Sequence, residues 1–222
     1  MRPRGIKNTG QARLFKSDFL EMLTKTKPSV IWGIYIPILS YLLYRAHTVY
    51  KIELIQMVLL FIAGIFYWTF FEYMAHRFLF HLVSDNLKTK KIAYILHGNH
   101  HEYPRDRQRL FMPLVPSLIL STTLFSLHYL VLGVYNWAFF PGFMIGYLSY
   151  ASMHYAIHAF EAPFKFMQPL WRNHQLHHYK DEHLGFGVSN TFWDRVFGTM
   201  FNLTKNKPDT EKVKELMFEK EK

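Results

Sequence analysis

From Leu110 to Phe160 the chain runs 51 residues without an Asp, Glu, Lys or Arg. A helix of about 20 apolar residues crosses a bilayer core, so this run predicts two crossings joined by a turn. Gly133, Asn136, Pro141 and Gly142, near its middle, mark where the chain reverses. Two shorter runs repeat the pattern: 17 uncharged residues, PSVIWGIYIPILSYLLY, between Lys27 and Arg45, and 18, LIQMVLLFIAGIFYWTFF, between Glu53 and Glu72. Each is just long enough to span.

Charge predicts the orientation. Lys and Arg number seven in residues 1 to 29, two around 45 to 53, seven between 73 and 109, and ten after residue 160; none flanks the turn near Gly133. The positive-inside rule then places both termini and the central loop in the cytoplasm. The expected fold is an all-α integral membrane protein, with four transmembrane helices in two hairpins hung from a cytosolic helical cap. Residues 1–27 form a cytosolic or interfacial segment, 28–202 a membrane domain and 203–222 a charged, solvated tail. Within the first, Leu14, Phe15, Phe19, Leu20, Met22 and Leu23 fall loosely on one side of residues 12 to 23, as in an interfacial helix ending before Pro28.

The net charge of +10 invites a nucleic-acid reading, but the basic residues sit between apolar runs rather than along one polar stripe, which excludes it. With no cysteine, disulfides, zinc ribbons and a thiolate nucleophile are excluded, and any metal must take nitrogen or oxygen ligands. The N-terminus lacks the short apolar core and cleavage site of a signal peptide, so insertion rests on the internal runs.

Ten of the thirteen histidines fall in four short segments: His76 and His81 in HRFLFH, His97, His100 and His101 in HGNHH, His154 and His158 in HYAIH, and His174, His177 and His178 in HQLHH. Residues three or four apart share a helix face, so the histidines within each of the last three segments can converge. Adjacent histidines diverge by about 100°, and such a pair can reach two different ions. His76 and His81 lie about 140° apart on an ideal helix, so they need a helix end between them or serve different metals. The topology brings all four segments to one membrane surface. Ten imidazoles are too many for one four-coordinate ion and suit two, with positions left for water or oxygen. Neutral ligands leave such a pair most of its positive charge, which polarises bound oxygen. His47, His128 and His183 lie outside this spacing and read as structural.

The segments FEYMAHRFLFH, LHGNHHEYPRDRQRLFMP, YASMHYAIH and NHQLHHYKDEHLGFGVSNTFWDRVFGT together resemble the fatty acid hydroxylase superfamily, closest to the fatty acid 2-hydroxylases of sphingolipids. The resemblance implies metal-ligand roles for those ten histidines, around two ions that are iron in catalysis and can be zinc in purified protein. It implies a monooxygenase that uses O2 and two electrons to place a hydroxyl at carbon 2 of a fatty acid or ceramide acyl chain. Many eukaryotic members carry an amino-terminal cytochrome b5-like domain. This sequence has no His-Pro-Gly-Gly haem motif, so a separate donor, cytochrome b5-like or ferredoxin-like, is expected. The same departure favours a bacterial inner membrane, with the endoplasmic reticulum as the alternative.

Of the weaker motifs, Glu72 and Glu102 flank the clusters and either orient ligands or sit solvated at the headgroups. Arg105, Arg107 and Arg109 either dock an acidic donor or serve only the positive-inside rule. GFG at 185 to 187 reads as a tight turn, and Trp193 and Asp194 as packing and capping residues. Phe61, Phe66, Trp68, Phe70, Phe71, Tyr147 and Tyr150 could flank an acyl chain but read first as core or lipid-facing. The rival readings are a carotenoid hydroxylase, a sterol or alkyl-lipid oxidase and, outside enzymes, a metal transporter. A transporter needs polar ligands inside the membrane, where only His128 qualifies.

Overall fold

The computed structural model describes residues 5–82 and 85–218, and among these every regular element is helical. The remaining residues, which include both extreme ends of the expected N-terminal segment and tail, lie outside the description. Ten α-helices run in order: α1 Asp18–Met22, α2 Pro28–Thr48, α3 Leu54–Met74, α4 Leu87–Ala93, α5 Asn99–Glu102, α6 Leu114–Leu132, α7 Asn136–Ala159, α8 Gln168–Tyr179, α9 Phe192–Val196 and α10 Lys207–Phe218. π-helical turns extend α3 over Ala75–Phe80 and join α4 to α5 over Tyr94–Gly98.

Among the described residues three stretches are long and apolar enough to cross a membrane: Pro28–Thr48, Leu54–Phe80 and Leu114–Ala159. The third contains both α6 and α7, separated by a 3-10 turn at Gly133–Tyr135. Gly133 takes φ 54°, ψ −133°, a conformation open to glycine, and there α6 ends. The break between α6 and α7 is therefore confined to Gly133–Tyr135. Pro141 and Gly142 lie inside α7 instead.

The chain divides into two compact units. One comprises Phe15–Phe71 and Phe111–Ser152. Within it α3 and α7 approach backbone to backbone. A Cβ at Gly142 would stand 1.9 Å from Phe61 O, and one at Gly64 2.2 Å from Phe139 O. Small residues permit such contact, which supplies the packing that apolar burial cannot supply within lipid. Buried hydroxyls tie α2 in: Tyr35 contacts Ser117 Oγ at 2.8 Å and Ser121 Oγ at 3.0 Å, and Trp32 Nε1 donates to Ser152 Oγ at 3.0 Å. Trp68 packs among Phe71, Phe143, Tyr147 and Tyr150, so these aromatics form a core. Leu54, Leu59 and Ile62 on α3 and Leu130 and Val131 on α6 are exposed, as a lipid-facing surface requires.

The expected interfacial helix over residues 12 to 23 shrinks to α1, five residues capped by Ser17. The unit boundary at Leu14 explains this. The described residues before it are held as a strap in the other unit, by Lys7 N to Glu102 O, Tyr179 OH to Asn8 Oδ1, and Gln11 Nε2 to Asp106 Oδ1.

That other unit comprises Met1–Leu14, Glu72–Leu110 and Met153–Lys222. Within the stretch expected as a solvated tail, α10 packs on α8 and buries Thr210 and Val213. Lys180 pairs with Asp209, and Lys214 with Glu161 at 2.9 Å.

Candidate metal centre

All ten clustered histidines belong to this second unit, in two groups of five. His76, His81, His97, His101 and His177 form the first group; His100, His154, His158, His174 and His178 form the second. Within each group the candidate ligand atoms lie within 4.8 Å of one another.

Helical spacing explains the division. Each pair four apart stays together: His97 with His101, His154 with His158, His174 with His178. Residues i+3 and i+4 diverge by about 100°, so the adjacent pairs split, His100 from His101 and His177 from His178. Convergence of the residues three apart is thus corrected: His97 and His100 part, as do His174 and His177. His76 and His81 join the same group because Ala75–Phe80 is a π-helical turn ending at His81. Its i→i+5 register brings residues five apart over each other, where an α-helix would turn them away.

The nitrogens facing inward are the Nε2 atoms. In the first group His97 Nε2 lies 3.1 Å from His76 Nε2 and 3.0 Å from His101 Nε2, and His81 Nε2 lies 3.0 Å from His177 Nε2. In the second, His174 Nε2 lies 3.0 Å from His158 Nε2 and 3.1 Å from His178 Nε2. Two nitrogens bound about 2.1 Å from one ion at right angles stand about 3.0 Å apart, so the spacing fits shared cations. Hydrogen bonding fits less well. One Nε2 proton cannot serve two neighbours, and His100 Nε2 is buried with no hydrogen-bond partner among the described residues.

Eight of the ten rings are buried; His81 and His101 are partly so. Burial pushes the pKa of His81 down to about 3, and that of His97, His100, His174, His177 and His178 well below the ordinary imidazole value. Repulsion between neighbouring imidazolium charges adds to it. These rings are neutral at physiological pH, the state a metal ligand needs.

The loop Leu184–Ser189 fixes two rings. A carbonyl only accepts, so His76 Nδ1–H donates to Phe186 O at 2.6 Å and His177 Nδ1–H to Leu184 O at 2.7 Å. Both Nε2 atoms then carry lone pairs directed inward. Two buried carboxylates hold the loop. Asp194 accepts from Phe186 N at 2.9 Å, Gly187 N at 2.8 Å, Thr199 Oγ1 at 2.8 Å and Asn173 Nδ2 at 3.1 Å. Burial raises its pKa, and those donors pull it back. Glu72 accepts from Val188 N and Ser189 N, each at 2.8 Å, and from the Ser189 hydroxyl. Gly185, at φ 74°, and Gly187 admit no side chain: a Cβ would meet Asn173 O at 2.8 Å and Asn190 O at 2.1 Å.

Glu72 thus acts on the site through this loop, while Glu102 accepts from Tyr94 OH at 2.7 Å and Lys7 Nζ at 2.8 Å. The basic run is largely committed internally. Arg109 forms a buried pair with Asp106 at 2.5 Å, and Arg107 donates to Ala159 O at 3.1 Å. His47, His128 and His183 stand outside both groups. The orienting carbonyls carry no side-chain signature; the two glycines of LGFGVS were their only trace in the sequence.

A family model described as fatty acid hydroxylase matches residues 61–199, a span holding all ten histidines, Glu72 and Asp194. The ceramide very long chain fatty acid hydroxylase SCS7 of Saccharomyces cerevisiae is 40% identical over 204 residues, covering 89% of this chain and 51% of that protein. The dihydroceramide fatty acyl 2-hydroxylase FAH1 of Arabidopsis thaliana is 33% identical over 189 residues, covering 85% of this chain and 79% of that protein. The chain thus spans about half the length of the yeast relative. A solved structure of full-length scs7p, with only its hydroxylase domain visible, superposes with a TM-score of 0.77 at 37% identity, over 83% of this chain and 70% of that one. These relatives are eukaryotic, which removes the ground for preferring a bacterial membrane.

Proposed function

Since the chain belongs to the fatty acid hydroxylase family, we propose that it hydroxylates carbon 2 of a lipid acyl chain, in a fatty acid or a sphingolipid such as a ceramide. The observation that carries the reading is the pair of five-histidine groups inside the matched span. The ten histidines are the ligands of two metal ions, iron in catalysis. When bound, those ions supply the redox chemistry in which acyl C–H, O2, two electrons and two protons become C–OH and water.

The chain's own residues hold and shield that chemistry. The Leu184 and Phe186 carbonyls fix the His177 and His76 tautomers, and Asp194 and Glu72 fix the carbonyls. Burial keeps the ligands neutral and excludes water from the cluster. The electrons come from a separate donor, cytochrome b5-like or ferredoxin-like. The apolar helices cross as four spans in two hairpins with both termini cytoplasmic, and the eukaryotic relatives favour the endoplasmic reticulum.

Lipid mass spectrometry of a heterologous host, with and without the chain, tests the reaction. A gain of one oxygen on carbon 2 of acyl chains is expected. The same gain on pigments or sterols would replace this reading with a carotenoid hydroxylase or a sterol oxidase. No oxidised lipid, together with metal uptake into vesicles, would replace it with a transporter.

A further inference from the structure

The two groups differ in how their rings are supported on the side away from the ion. In the first, His76 and His177 donate Nδ1–H to backbone carbonyls at 2.6 and 2.7 Å. In the second, His154 alone is tied to a backbone group, that of Leu110, and the Nδ1 atoms of His158, His174 and His178 are buried with no hydrogen-bond partner among the described residues. Their Nε2 atoms are the ones that face one another.

Ligation through Nε2 obliges a neutral imidazole to carry its proton on Nδ1. For His76 and His177 the carbonyls have already placed it there, so the lone pairs stand ready before metal arrives. For His158, His174 and His178 the same proton goes to a buried position that no acceptor among the described residues meets, and an unmet buried donor is costly. Acceptors behind metal-bound histidines are worth about 10–100-fold in affinity.

From this asymmetry, and resting on the dimetal reading above, we infer that the two metal positions are unequal. The group of His76, His81, His97, His101 and His177 is the high-affinity position and fills first. The group of His100, His154, His158, His174 and His178 is the weaker position and the first to empty when metal is scarce. A singly loaded protein, with its ion in the first group, is then a distinct state between the empty and the doubly loaded protein.

Equilibrium dialysis of the full chain in detergent against graded Co2+ buffers, with elemental analysis of bound cobalt, reads this directly. Two steps separated by at least about tenfold in free Co2+ are expected. His177→Ala should remove the tighter step and His174→Ala the weaker one. Anomalous diffraction from wild-type crystals at substoichiometric Co2+ gives the answer without any variant: the first ion should lie among the first five histidines. Two ions bound in one step, or a first ion in the second group, overturns the ranking alone. Fewer than two ions at saturation overturns the dimetal reading on which it rests.

Discussion

Asp194 is fully buried and hydrogen-bonds to no histidine among the described residues, yet it holds the loop whose Phe186 carbonyl orients His76. Its oxygens take the N–H groups of Phe186 and Gly187, and the Phe186 carbonyl in turn takes the His76 proton. Asp194→Asn would set an amide N–H against one of these donors, and an unmet buried donor costs about 1–3 kcal/mol. Lower thermal stability in detergent and weaker binding of one ion are expected; an unchanged melting temperature with unchanged metal loading would contradict this role. At this scale the sequence was legible where side chains carry the chemistry. Eight imidazoles at helical spacing, with His76 and His81 beside them, were visible as clusters, and adjacency at His100–His101 and His177–His178 allowed two groups. The carbonyls that orient the rings were not legible, because every residue has one and only the fold selects which are used.

Helices and turns were legible to the extent that lipid dictates them. The charge-free runs mark the long helices because a bilayer core fixes their length, and α2, α3, α6 and α7 occupy those runs. The small residues were harder to read. Gly133 makes the turn, whereas Gly142 serves packing at Phe61, and a sequence does not separate those uses. Gly142→Ala should force α3 and α7 apart and cost about 1–3 kcal/mol or more. Gly33→Ala, which meets nothing within 4 Å on α2, should be neutral or gain up to about 1 kcal/mol. Comparing the thermal unfolding of the two variants checks this, and equal losses would contradict the close approach. The π-helical turns at Ala75–Phe80 and Tyr94–Gly98 escaped the sequence for a related reason: an ideal helix was assumed where the histidines require a different register.

In the whole molecule, the features that identify the chain lie in one compact unit, assembled from segments more than 100 residues apart. Ala75–Phe80 supplies His76, α8 supplies His177, and the loop before α9 supplies the carbonyls that hold both. Its N-terminal strap and α10 were read from sequence as peripheral, since their polar composition gave no sign of the partners that bind them. Arg109, for which the sequence left docking and the positive-inside rule both open, is buried against Asp106. Oxygen-18 labelling of a host expressing this chain or its His177→Ala variant tests the central claim most directly. Mass spectrometry should find the heavy isotope from O2 in the 2-hydroxyl of acyl chains with the wild-type chain and lose that product with the variant. Label derived from water, or equal product from both chains, would contradict the account.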